Sequence, residues 1–95
     1  MRPNEEFIVV TVKVTGHLIF LVKESQFSLE IPEGCSIFEL GKILGSKFGP
    51  KMKQALFDDK GCLRFAAFVN GQQVDVDTEL LTGNKVMFFV PMAGG

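Results

Sequence analysis

Apolar and polar positions alternate along much of this chain, and the period of the alternation changes once. Phe7 to Thr15 is rich in β-branched residues. From Val10 onward Val10, Val12 and Val14 fall on one face and Thr11, Lys13 and Thr15 on the other. This predicts a half-buried strand that Gly16 ends. Leu18 to Val22 is apolar throughout and fits either an extended segment or a short helical turn. Phe27 to Ile31 alternates cleanly and predicts a second strand, stopped by Pro32-Glu33-Gly34. The period then lengthens. Ile37, Leu40, Leu44 and Phe48 share one face at helical spacing. Ser36 and Glu39 have the Ser-x-x-Glu spacing of a capping box, which satisfies otherwise unpaired N–H groups at a helix start. Gly49-Pro50 closes the helix, glycine taking the left-handed cap and proline forbidding continuation. Gly41 and Gly45 lie inside it, each costing about 1 kcal/mol relative to alanine. The expected compensation is close approach of the helix to a sheet, with a partner's backbone as the alternative.

Lys51 to Asp59 is polar and irregular, with a short helical turn around Met52 to Phe57, and Asp58-Asp59-Lys60-Gly61 reads as a turn. Leu63 to Val69 predicts a third strand. Asn70-Gly71 is a strong hairpin signal, because both turn positions need positive φ. Gln72-Gln73-Val74 returns as a short strand, Thr82 to Lys85 turns again, and Val86 to Val90 forms a final apolar strand. One main helix bridging two hairpins is an α+β arrangement of about five strands. Its crossover can set the first and last strands side by side and parallel. A mixed sheet wrapped on one helix is the β-grasp architecture. The expected organisation is a single domain over residues 1–90 and a flexible tail over 91–95.

Composition narrows the chemistry. The chain has 95 residues, with 46% hydrophobic and 22% charged, ordinary values for one globular domain. Ten Lys and Arg against eleven Asp and Glu leave a net charge of −1, so nothing favours nucleic acid as a partner. The apolar run Leu18 to Val22 is far shorter than the ~20 residues of a membrane helix, and no secretory signal is visible. No membrane association and a cytoplasmic location are expected. Two cysteines, Cys35 and Cys62, are too few for a disulfide framework or for the four-thiolate cluster of a ferredoxin. A metal site would need both cysteines and His17 to converge without any short ligand spacing. His17 is the single histidine, and its expected place is a solvated loop. The helix dipole can lower the thiol pKa of Cys35, which precedes the cap, but a small packing residue is the expectation there. Gly34, Gly41, Gly45 and Gly49 match no phosphate-binding loop. No catalytic residue and no metal site is expected.

The end of the chain is the informative feature. The last strand runs directly into Pro91-Met92-Ala93-Gly94-Gly95. Pro91 stiffens the exit by fixing φ, and Gly94 and Gly95 carry no Cβ. Such a tail can enter a narrow channel and present an unhindered carboxylate to another enzyme. A free carboxylate is a poor electrophile and needs activation, typically as an acyl-adenylate.

Leu29-Glu30-Ile31-Pro32-Glu33-Gly34 before the capped helix, Phe68-Val69-Asn70-Gly71 at the hairpin, and Leu81-Thr82-Gly83-Asn84-Lys85-Val86 carry a resemblance that the closing Phe88-Phe89-Val90-Pro91-Met92-Ala93-Gly94-Gly95 completes. Over nearly its whole length the chain resembles the MoaD/ThiS family of ubiquitin-like sulfur carriers, most closely the MoaD small subunits of molybdopterin synthase. The resemblance implies that the Gly95 carboxylate is adenylated by a ubiquitin-activating-like (MoeB-like) enzyme using ATP and magnesium. A sulfur donor then converts it to a thiocarboxylate. The tail of Pro91, Met92, Ala93 and Gly94 would enter a large synthase subunit (MoaE-like) and pass sulfur to a pterin precursor. No cofactor is bound by the carrier itself. The alternatives are sulfur transfer for thiamine, cysteine or tRNA thiolation, a protein modifier joined through Gly95, and a plain binding module. The N-terminal Arg2-Pro3-Asn4-Glu5-Glu6 and the apolar Leu18 to Val22 depart from the family pattern.

Alternation in the last strand adds an independent expectation. Val86, Phe88 and Val90 share one face, and Met87 and Phe89 the other. In the third strand Ala67 and Val69 oppose Phe68. If the helix covers the first set, then Phe68, Met87 and Phe89 face outward beside the tail as a partner-binding surface.

Overall fold

The computed structural model describes residues 6–16, 18–61 and 64–90. Strand β1 (Phe7–Val14) leads through helix α1 (Leu18–Val22) to β2 (Gln26–Pro32). Helices α2 (Ile37–Phe48) and α3 (Pro50–Leu56) follow, then β3 (Ala66–Val69), β4 (Gln72–Val74) and β5 (Lys85–Phe89). The strands form one sheet in the order β2-β1-β5-β3-β4. β1 and β5 are parallel and the other neighbours antiparallel. This is the expected α+β, β-grasp arrangement. No described helix is long and apolar enough to cross a membrane.

The alternation read from β1 sets the inner face. Val10, Val12 and Val14 are essentially inaccessible. Val10 and Val12 pair with Leu29 and Phe27 of β2, and Val12 and Val14 with Val86 and Phe88 of β5, so the inner residues of three strands line up in rows. α2 packs here because Ile37, Leu40 and Leu44 form one fully buried stripe. Each such side chain contributes about 1.5–3 kcal/mol by leaving water. The capping box is formed. The Glu39 N–H donates to Ser36 Oγ at 3.2 Å, and the Ser36 N–H donates to Glu39 Oε1 at 3.0 Å. Gly49 ends α2 at φ +98°, where a Cβ would be strained. Asn70 and Gly71 take positive φ at the β3–β4 hairpin, as their turn requires.

One segment left open is resolved, and three expectations need correction. Leu18 to Val22 is a helix: Leu18 and Val22 are buried one turn apart, while Phe20 stands 80% exposed on the far side. The segment after Pro50 is a seven-residue helix, longer than the short turn expected around Met52 to Phe57. Proline at the first helical position lacks only an N–H that would be unbonded anyway, so it starts α3 while ending α2. Met52 and Leu56, four apart, bury the inner side of α3. The third strand begins at Ala66 instead of near Leu63. The Arg64 N–H donates to Leu56 O at 2.8 Å and its guanidinium to Gln54 O at 3.3 Å, which ties this stretch to α3 and away from the sheet. The final strand is shifted by one residue, Lys85–Phe89 in place of Val86–Val90.

The α2 glycines also serve a different neighbour from the one expected. A Cβ on Gly41 would meet Phe57 Cζ at 3.2 Å and Phe65 Cζ at 3.4 Å, and one on Gly45 would meet Lys53 Cγ at 3.4 Å. The approach is thus to α3 and the aromatic residues that follow it. Phe57 stands edge-on to both Phe38 and Phe65, and Phe65 lies 4.4 Å from Phe88 between ring centres. Cys35 is buried at the head of α2. Burial, then the charge of Glu39, pushes its thiol up to about 11, so the dipole does not make it a reactive thiolate. His17, Cys62, Leu63 and the tail Pro91–Gly95 lie outside the described residues.

Two outcomes follow from this packing. Gly45→Ala is expected to stabilise the fold by about 0.5–1 kcal/mol through helix propensity, because the new methyl meets Lys53 at ordinary contact. Gly41→Ala should gain less or destabilise, since the Phe57 ring must give way. Urea unfolding of both variants checks the order, and equal gains would contradict it. For Cys35, both folded and unfolded chains keep the thiol proton below its ordinary value of 9.0. Between there and about 11 only the unfolded chain loses it, so stability should fall as pH rises through that window. The fall should be absent in Cys35→Ala.

Candidate functional site

β5 lies at the centre of the sheet, so its backbone is bonded on both sides. On one side Val12, Lys13 and Val14 of β1 match Val86, Met87 and Phe88. On the other Val69, Phe68, Ala67 and Ala66 of β3 match Val86, Met87, Phe88 and Phe89. Beyond β1, Thr15 continues the contact, its Oγ1 donating to Phe88 O at 3.3 Å. Val90 is half-buried against the core. The chain is therefore held to Val90, immediately before Pro91. The tail residues Pro91, Met92, Ala93, Gly94 and Gly95 lie beyond the described residues.

The face assignment follows from the same register. Val86, Phe88 and Ala67 are buried under the helices. Met87 and Phe68 are neighbours on the opposite face and half-buried there, while Phe89, beside Ala66, is 47% exposed. The three residues singled out by alternation thus stand together on the outward face, next to the end of β5.

Sequence reasoning missed what surrounds this cluster. Lys13 pairs with Met87 across the parallel ladder, and Lys85 precedes Met87 by two on the same face. Both are exposed, so the apolar patch has a cationic rim on its β1 side. Read alone, Lys13 is merely the polar side of an alternating strand. Its place beside Met87 emerges only when the first and last strands are paired. Gln73 of β4 flanks Phe68 on the other side. Farther along β1, Phe7 and Val9 are also exposed, at 50% and 49%. They sit toward an acidic end of the sheet, where a hydrogen bond donated by the protonated Glu33 to Glu6, and the negative charge of Glu6, raise the pKa of Glu33.

The described residues present, on the outward face, apolar side chains beside two lysines. No group of three or more potential metal ligands occurs among them. No buried side-chain nitrogen or oxygen among them lacks a hydrogen-bond partner. A cleft of about 540 Å³ lies between α2 and α3, lined by Phe38, Lys42, Lys53 and Phe57 among others. It belongs to the helical side and includes no residue of β5.

No family model matches the chain, and no curated protein matches its sequence. Solved structures do match. Small archaeal modifier protein 1 from Haloferax volcanii superposes with a TM-score of 0.79 at 17% identity, covering 92% of this chain and 99% of that one. A Pyrococcus furiosus protein described as molybdopterin converting factor, subunit 1, gives 0.75 at 27% identity, covering 90% and 99%. The ubiquitin-like domain of an Arabidopsis thaliana protein gives 0.57 at 15% identity, covering 94% and 82%. The chain thus has the ubiquitin-like β-grasp fold, and its structural neighbours, a small archaeal modifier and a MoaD-like subunit among them, agree with the MoaD/ThiS resemblance carried by its motifs.

Proposed function

We propose that this protein is a sulfur carrier of the MoaD kind, acting through the carboxylate of Gly95 as the small subunit of a molybdopterin synthase. The observation that carries the reading is the placement of β5. A central strand, clamped from both sides, leads straight into Pro91-Met92-Ala93-Gly94-Gly95 beside an outward apolar cluster. The likeness to a molybdopterin converting factor subunit at 27% identity supports it. The carrier contributes a substrate rather than catalytic groups. A ubiquitin-activating-like enzyme, using ATP and magnesium, joins the Gly95 carboxylate to AMP and releases pyrophosphate. The acyl-adenylate has a good leaving group, so a sulfur nucleophile can displace AMP and leave a thiocarboxylate. Glycine at the last two positions keeps the carbonyl carbon open to attack and lets the tail enter a narrow channel. Phe68, Met87 and Phe89 form the docking surface for the activating enzyme and for the large synthase subunit. The Lys13 and Lys85 rim favours partners with acidic residues around an apolar centre. The carrier works in the cytoplasm, where those enzymes reside.

A second reading is favoured by one observation. A neighbour of comparable TM-score is a small archaeal modifier protein. On that reading Gly95 is joined to lysines of target proteins through an isopeptide bond. Both readings use the same activation step and differ in what displaces AMP.

Intact mass of the chain after incubation with ATP, a MoeB-like enzyme and a sulfur donor separates them. The expected result is replacement of one oxygen by sulfur, mapped to Gly95 and absent when Gly94-Gly95 is deleted. Lysine adducts in place of thiocarboxylate would establish the modifier, and neither product would sink both readings. For docking, Phe89→Asp is expected to weaken binding to the activating enzyme by about tenfold or more, with the unfolding midpoint little changed, as a half-exposed anchor predicts. Unchanged affinity would remove the face from the proposal.

A further inference from the structure

The two edges of the sheet are unequal. β4 is three residues long and leaves little backbone open. β2 runs for seven residues, Gln26–Pro32, and is bonded to β1 alone. Antiparallel strands point alternate residues toward and away from each neighbour. The Val14 N–H donates to Ser25 O and the Glu33 N–H to Glu6 O, both at 3.0 Å and both in the β1–β2 register. Phe27, Leu29 and Ile31 therefore aim their backbone groups at β1. Gln26, Ser28 and Glu30 aim theirs at the open edge. Pro32, which has no N–H, falls on the open side, where it removes no bond to β1. Natural sheets blunt long edges with lysine, central proline or a bulge. The stretch from Gln26 to Glu30 has none of these, and its register with β1 is uninterrupted.

We propose that this edge is the interface of a homodimer, in which β2 of a second copy pairs antiparallel about a two-fold axis at Ser28. The open-edge residues Gln26, Ser28 and Glu30 map onto one another only about that centre. Ser28 exchanges both backbone hydrogen bonds with its own counterpart. Gln26 does the same with Glu30 of the partner subunit, and their side chains form an amide–carboxylate pair on the outward face. On the inner face Phe27 lies opposite Leu29 of the partner subunit. Both are half-buried in the single chain, because β2 lies at the margin of the sheet, and the second copy covers them. Centring on Phe27 leaves Glu30 of the partner subunit facing the bend before β2, where it has no strand partner and meets the charge of Glu24. Centring on Leu29 matches Gln26 with a proline that cannot donate. Charge and hydrogen bonding thus select one register. The interface leaves Phe68, Met87 and Phe89 uncovered, so it is independent of the carrier reading.

Sedimentation equilibrium of the full chain, from micromolar to millimolar concentration, tests the proposal. The expected result is a monomer–dimer equilibrium. Ser28→Pro should raise its Kd by about tenfold or more while leaving the β1 ladder intact. Gln26→Glu should weaken it several-fold at low salt and Gln26→Lys strengthen it, since each places a charge opposite Glu30. Gln26 is exposed, so this pair remains informative if Ser28→Pro fails to fold. A monomer at all concentrations overturns the proposal. So does a dimer indifferent to the Gln26 charge, or one abolished by Phe89→Asp, which would place association on the apolar face instead.

Discussion

The pairing of β1 with β5 is the constraint on which the rest of the structure depends. Two parallel neighbours cannot be joined by a tight turn, so the chain must leave the sheet and cross over it. α2 is the main body of that crossover, and this is why its apolar stripe of Ile37, Leu40 and Leu44 finds the inner faces of β1 and β5 directly beneath it. The same pairing makes β5 central. A strand bonded on both sides cannot fray at one edge, so the residues before Pro91 are held in a fixed direction by β1, β3 and the Thr15 hydroxyl. On the proposed carrier reading, delivery of the terminus into another protein's channel draws on this rigid base.

Phenylalanine shows how the sheet divides its labour. With ten phenylalanines and neither tyrosine nor tryptophan, the chain packs its large aromatic rings without a hydroxyl or indole N–H to satisfy. Phe88 and Phe65 pack together inside, and Phe57 joins them by entering the space that Gly41 leaves. One residue after Phe88, Phe89 lies on the other side of the pleat and faces solvent. Core packing and the proposed recognition are thus separated by a single step along β5. A polar substitution at Phe89 spares the core, whereas one at Phe88 would bury an unpaired group there.

Legibility in the sequence followed the length of each pattern. β1, β2 and α2 were readable because each spans enough residues to display a period, and α2 carries its own start and stop chemistry at Ser36, Glu39 and Gly49. The outward placement of Phe68, Met87 and Phe89 was readable from parity alone. α3 was readable only as a short turn, because Met52 and Leu56 are one turn apart in a short segment, and because Pro50 signals a stop as readily as a start. The late beginning of β3 depends on the hydrogen bond from Arg64 to Leu56, which no local pattern encodes. The lysine rim needed the parallel register, a contact between residues more than seventy positions apart.

The sheet offers three surfaces, and each is specified differently. The inner face is specified by apolar area, which tolerates many sequences provided volume is conserved. The outward face near β5 is specified by a few exposed apolar residues and the charges beside them, which on the proposed reading select a partner's shape and sign. The β2 edge is specified by backbone hydrogen bonds that every residue but proline can make, so its selectivity must come from side chains at chosen positions. Glu30 fills that role. It repels a register that sets it against another carboxylate and accepts one that sets it against Gln26. A single charge on an otherwise neutral edge is a weak barrier to association and a strong guide to its geometry, and the two consequences come from the same residue.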